Sequence, residues 1–166
     1  LLPEDANLVE YWEEAFKDND KNAIVCAELG KAYLLYGDLE NGREHIMEAY
    51  KLNPDNCSLL LDLARATMMN AMQNRDTLLA EQALLSFEDF LDSDDNIPAS
   101  LKAYAYGMMG LTSYRALNDT DMGDKYMQLK DEQDPFCTKA FGPPSPLLFT
   151  KLDELSTSVS YYSRPY

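Results

Sequence analysis

Apolar residues recur every three or four positions along most of the chain, which places them on one face of an α-helix. This spacing predicts helices over residues 8–16, 57–74, 77–92 and 121–133, a helical hairpin over residues 23–56, and a short final helix over residues 146–156. Asn, Asp, Gly and Pro cluster between these segments, and they are the residues that form turns or end helices. The pattern therefore predicts an all-α fold.

The hairpin over residues 23–56 contains the most specific signal in the chain. Its key positions are Leu29, Gly30, Tyr33, Gly37, Asp38, Ile46, Ala49 and Pro54. This segment resembles the tetratricopeptide repeat, a pair of helices that recurs with a period of about 34 residues. Small residues are expected where two antiparallel helices approach closely, with larger side chains filling the space around them.

The turn within that hairpin has a clear chemical basis. Gly37 can adopt a left-handed backbone conformation, and Asp38 can cap the next helix. Pro54 is expected to end the second helix because proline cannot continue one. The dipeptide Asn118-Asp119 predicts a similar turn further along the chain.

The resemblance implies antiparallel helical hairpins stacked as a short right-handed superhelix, a TPR-like α-solenoid with a C-terminal capping helix. Residues 1–135 would form the array, with the remainder of the chain as a separate C-terminal region. The array would contain the second helix of a partial repeat at 5–18 and repeats at about 23–56, 57–95 and 100–135. The C-terminal region, 136–166, would contain a Pro-rich linker, the capping helix 146–156 and an extended tail.

Two of these repeats depart from the family pattern. The second is longer than usual, and its extra residues are expected near 72–77 and 94–100, where a loop can lengthen at little entropic cost. The third matches poorly in its second helix, because Gly123 and Lys130 stand where alanine is usual in the family.

In tetratricopeptide arrays the first helices of successive repeats line a groove that binds extended or helical peptides. The resemblance assigns fourteen residues of this chain to such a groove. They are Ile24, Ala27, Lys31, Leu34, Leu35, Ser58, Leu61, Arg65, Met68, Met69, Tyr104, Leu111, Tyr114 and Arg115.

The net charge of the chain favours some classes of binding partner over others. The chain has 29 acidic and 14 basic residues and a formal net charge of −15, which disfavours binding to a nucleic-acid backbone. Three basic residues, Lys31, Arg65 and Arg115, fall within the predicted groove beside methionine and tyrosine. The sequence thus predicts a protein or peptide ligand that is acidic and has hydrophobic anchors, although these basic residues could instead pair with nearby carboxylates. The lysine and asparagine clamp that some family members use for chaperone tails is absent.

No catalytic or cofactor-binding set is predicted. The single histidine, His45, lies on the second helix of the clear repeat, and Cys26 occupies a position that the family buries. Residues 18–29 begin like a calcium loop, but Ala23 and Leu29 replace the glycine and glutamate that such a loop requires. We therefore expect no enzyme activity, metal or cofactor.

The leading hypothesis is a protein-interaction module, acting as an adaptor, scaffold or chaperone. The alternative is a structural or self-associating domain of a larger envelope or secreted protein, with its own tail in the groove. No uninterrupted apolar run approaches the roughly 20 residues of a membrane helix. Because the chain begins at Leu1, a targeting signal is expected to be missing; the cytoplasm is favoured, and a periplasmic or secreted location stays open.

Overall fold

The computed structural model describes residues 7–135, and every regular element in that range is an α-helix. The seven helices are α1 (Leu8–Asp18), α2 (Ala23–Leu35), α3 (Leu39–Leu52), α4 (Cys57–Asn74), α5 (Thr77–Asp92), α6 (Ala99–Arg115) and α7 (Thr120–Gln133). The all-helical prediction is confirmed for these residues. The predicted linker, capping helix and tail at 136–166 lie outside them.

Helices that follow one another in sequence pack together. The closest pairs are α2 with α3, α4 with α5, and α6 with α7, so this part of the chain contains three antiparallel hairpins. Helix α1 packs on α2, α3 packs on α4, and α6 contacts both α5 and α4. The first helices of the hairpins are α2, α4 and α6, and the second helices are α3, α5 and α7.

The three hairpins share one turn geometry. In each hairpin the turn after the first helix contains one residue with positive φ, and an aspartate follows that residue directly. The positive-φ residues are Gly37, Arg75 and Asn118, with φ of 87°, 49° and 54°. The aspartates Asp38, Asp76 and Asp119 accept hydrogen bonds from backbone N–H groups in the first turns of α3, α5 and α7. The left-handed residue reverses the chain, and the carboxylate satisfies a backbone donor that has no partner within the helix.

Close approach of the paired helices depends on small residues four positions after each aspartate. These residues are Gly42, Ala80 and Gly123. A Cβ atom on Gly30 would lie 2.8 Å from the carbonyl oxygen of Gly42, and one on Gly123 would overlap the ring of Tyr114. Gly123, which differs from the tetratricopeptide pattern in sequence, leaves room for the Tyr114 ring where α7 packs against α6.

The second hairpin is longer because its first helix is longer. Helix α4 has 18 residues where α2 has 13. The extra residues expected near 72–77 lie partly in this helix, since residues 72–74 belong to α4. Near this end of α4, the buried side chain of Asn70 donates to the backbone oxygens of Leu39 and Ala66, at 2.5 and 3.2 Å. This contact joins α4 to the start of α3.

Candidate functional site

The fourteen predicted groove residues separate into surface and interior positions. Four are exposed: Ile24, Leu35, Ser58 and Arg115. Three are half-buried: Lys31, Tyr104 and Tyr114. Seven are buried: Ala27, Leu34, Leu61, Arg65, Met68, Met69 and Leu111. Five of the buried seven belong to the main hydrophobic core, and those five are Leu34, Leu61, Met68, Met69 and Leu111.

The position of α4 explains why so many of these residues are buried. This helix packs against α3, α5 and α6, so most of its circumference is covered. Met68 and Met69 are almost completely inaccessible. Asp62 and Arg65 of α4 contact Lys31 of α2 and Tyr104 of α6, which belong to the first helices of the neighbouring hairpins.

Charged side chains link the three first helices across one surface. The Nζ atom of Lys31 on α2 lies 3.4 Å from Oδ2 of Asp62 on α4. The other oxygen of Asp62 lies 3.0 Å from a terminal nitrogen of Arg65. The guanidinium carbon of Arg65 is 6.0 Å from the ring centre of Tyr104 on α6, at the limit of a cation–π contact. We call the surface formed by these residues and their exposed neighbours on α2, α4 and α6 the first-helix face.

Arg65 is charged despite its burial. Its side chain is only 7% exposed. Removal from water favours the neutral form, but Tyr104 and Asp62 more than offset that effect, so the pKa of Arg65 is raised. The pKa of Tyr104 is also raised, chiefly by its own burial. At neutral pH the pair is therefore a guanidinium cation beside a protonated phenol.

The predicted basic surface is largely neutralised by its own chain. Lys31 contacts Glu28 at 3.4 Å in addition to Asp62, and Arg65 contacts Asp62. These four residues have two positive and two negative charges. Sequence reasoning did not assign Asp62 a role here, although its position three residues before Arg65 on one helix was a signal for an ion pair.

Tyr114 contacts the second helix of its own hairpin. Its hydroxyl donates to Oδ1 of Asp124 on α7 at 2.5 Å. Desolvation and this hydrogen bond raise the pKa of Tyr114 to about 12. The same type of contact occurs at Tyr33, where a 2.5 Å hydrogen bond to Glu13 of α1 raises the pKa to about 12.

Exposed aliphatic side chains border the charged network. Ile24 on α2 is 70% exposed, and Leu35 lies on the same side of that helix as Lys31. Leu101 on α6 is also exposed and lies one turn before Tyr104. Sequence reasoning did not select Leu101. The first-helix face thus combines a compensated polar strip with accessible aliphatic groups at its edges.

The residues considered for chemistry make structural contacts. Cys26 is fully buried, and burial raises the pKa of its thiol, which donates to the backbone oxygen of Asp20. The Nδ1 atom of His45 lies 2.8 Å from the backbone oxygen of Asn41, and its ring packs against Phe16 and Tyr33. Within residues 7–135 there is no cluster of three or more His, Cys, Asp or Glu side chains suited to a metal ion.

Comparison of the chain with protein-family models and with curated proteins found no match. Among the helices in the described range, none is both long enough and apolar enough to cross a bilayer.

Proposed function

We propose that this chain is a non-enzymatic, tetratricopeptide-repeat-like module that binds a segment of another polypeptide along its first-helix face. The observation that supports the proposal best is the continuous contact from Lys31 through Asp62 and Arg65 to Tyr104. This contact holds residues from three successive first helices side by side. A ligand lying across them would meet one ordered surface.

The chemistry of the face favours a ligand whose anchors are mainly apolar. Ile24, Leu35 and Leu101 offer accessible aliphatic area, and burial of such area drives most protein association. An acidic ligand would have to compete with Glu28 and Asp62 for Lys31. We therefore expect hydrophobic side chains to provide most of the affinity, with Lys31 selecting among ligands by charge.

A library of random peptides displayed on phage, selected against the full chain, tests the proposal. Enriched peptides are then titrated against wild type, Ile24→Asp, Leu35→Asp and Lys31→Glu. We expect roughly tenfold weaker binding for the aspartate variants, since each places a charge where an apolar contact is made.

Matched controls come from the second helix α3. Lys51→Glu makes the same charge change at an exposed lysine, and Leu52→Asp makes the same apolar-to-acidic change at an exposed leucine. Both should bind the selected peptides with wild-type affinity. Equal losses in face and control variants, or no enriched peptide at all, would contradict the proposal, and concentration-dependent sedimentation would then favour a self-associating domain.

A further inference from the structure

A second concave surface lies between α3 and α5. It is a cleft of about 280 Å³ with walls from these two helices and a floor from α4. Arg43 and Met47 form the α3 side, Leu85 lies on the α5 side, and Leu63 forms part of the floor. These residues belong to different helical surfaces from those in the proposed function.

The cleft can accept an aliphatic side chain. Met47 and Leu63 are partly buried in it, and a thioether adapts readily to the shape of an apolar partner. Leu85 is 60% exposed at the rim, and Leu78, two turns earlier on the same side of α5, is 64% exposed. Accessible leucines therefore continue from the cleft along α5.

The polar groups of the cleft are mostly satisfied within their own helices. The Thr67 hydroxyl donates to the backbone oxygen of Leu63, and the Ser86 hydroxyl donates to that of Gln82. Arg43 differs from both. Its Nε atom is buried and has no hydrogen-bond partner in the described part of the chain.

Arg43 also lacks a counter-ion among residues 7–135, where none of the salt bridges includes it. Arg65 also has a buried Nε without a hydrogen-bond partner in the described range, but a terminal nitrogen of its guanidinium contacts Asp62. The Arg43 residue is half-buried, but a buried N–H without an acceptor is unfavourable, and a carboxylate can satisfy a guanidinium with two parallel hydrogen bonds. Arg43 is thus a cation without a counter-ion in the described range, where a carboxylate of a ligand could form charge-assisted hydrogen bonds.

We infer that the cleft between α3 and α5 is a second docking site, for a polypeptide segment that carries a carboxylate next to an aliphatic side chain. The aliphatic group enters between Met47, Leu63 and Leu85. The carboxylate pairs with Arg43. This inference goes beyond the proposed function because it concerns the second helices, and binding here does not require a ligand on the first-helix face.

The probe is a set of synthetic peptides enriched from a random phage library by selection on the full chain. Each peptide that contains Asp or Glu is also made with the matching amide, and all are titrated against wild type and Arg43→Gln. We expect the peptide change and the protein change each to weaken binding about tenfold, with no further loss when both are made. Arg75→Gln removes an exposed arginine and is the control, for which wild-type affinity is expected.

The site is located by methyl NMR. Bound peptide should shift the Met47 methyl signal and leave the first-helix face unaffected, and Leu85→Asp should abolish binding while Ile24→Asp does not. The inference would be overturned if no selected peptide contains Asp or Glu and binds Ile24→Asp as tightly as wild type, if the two charge changes have additive effects, or if the Met47 signal does not shift. Ile24→Asp and Leu85→Asp each affect one of the two sites, so the two proposals can fail separately.

A different result is expected if the cleft between α3 and α5 binds the chain's own C-terminal region. If wild type selects no peptide but a full-length chain with Asp153→Asn and Glu154→Gln does, the chain's own C-terminal region competes for Arg43, and the inference of a partner ligand is overturned. Arg43→Met supplies a second readout. It should lose acidic-peptide binding while its thermal midpoint stays equal to or above wild type, because it removes a charge that has no counter-ion among residues 7–135.

Discussion

Replacing Gly30 with alanine tests the close approach of α2 and α3 directly. The added Cβ would lie 2.6 Å from Cγ1 of Ile46 and 2.8 Å from the backbone oxygen of Gly42. Both distances are shorter than normal packing allows, and the carbonyl belongs to a helix backbone that cannot move independently. Relief of the overlap requires the two helices to separate.

The expected magnitude follows from two opposing terms. Overpacking a well-filled interior costs about 1–3 kcal/mol, and the backbone contact places this site near the upper end. Alanine in a helix interior is favoured over glycine by about 1 kcal/mol. The net effect is a loss of about 2 kcal/mol in the free energy of unfolding, which corresponds to a fall of about 4–8 °C in the thermal midpoint for a chain of this size.

Gly107→Ala is the matched control. Gly107 is also a buried helical glycine, but a Cβ there would meet only the flexible side chain of Lys130, at 3.4 Å. Only the higher helix propensity of alanine then acts, and the thermal midpoint should rise by about 2–4 °C. Circular dichroism melts of both variants provide the measurement. A Gly30→Ala variant that melts at or above wild type would refute the close-packed arrangement of α2 and α3.

Three further predictions concern the core, the buried ion pair and the tyrosines. Phe87→Ala should lower the free energy of unfolding by about 3–5 kcal/mol in a urea titration, because this fully buried ring would leave a cavity. Asp62→Asn should cost about 3–5 kcal/mol by the same assay, because it leaves the buried charge of Arg65 without its carboxylate; a loss below about 1 kcal/mol would mean that the pair is hydrated. The pKa values of Tyr33 and Tyr114 are raised to about 12, so the contribution of these tyrosines to stability is complete below pH 10 and is lost as pH rises towards 12. Tyr33→Phe and Tyr114→Phe should therefore reduce the alkaline fall in the free energy of unfolding. An unchanged dependence of that free energy on pH would contradict these two hydrogen bonds.

The charge pattern illustrates a limit of reasoning along a single helix. Lys31 and Arg65 are basic residues at positions that the resemblance to tetratricopeptide repeats assigns to ligand contacts, and the sequence therefore predicted an acidic ligand there. In three dimensions both lie next to Asp62. Arg43 has no such partner among the described residues, although Glu40 precedes it by three positions and would have been the natural expectation for one.

Local features of the fold were accessible from the sequence alone. The spacing of apolar residues predicted α4 and α5 with the bounds that the structure has, and Gly37-Asp38 and Asn118-Asp119 predicted two of the three turns. These features depend on residues close in sequence, through helical periodicity, backbone conformation and capping. Arg75 takes the same left-handed conformation without being a turn residue by type, so the third turn could not be recognised in this way.

Burial, ion pairing and the shape of the surface were decided only by the tertiary structure. Met68 and Met69 could equally have faced a ligand, and they are buried because α3, α5 and α6 surround α4. Asp62 contacts two cations because of the way α2 lies against α4. Arg43 lies at the cleft between α3 and α5 and has no ion-pair partner among residues 7–135. Such contacts join residues far apart in the chain, and local sequence spacing contains no measure of the distance between them.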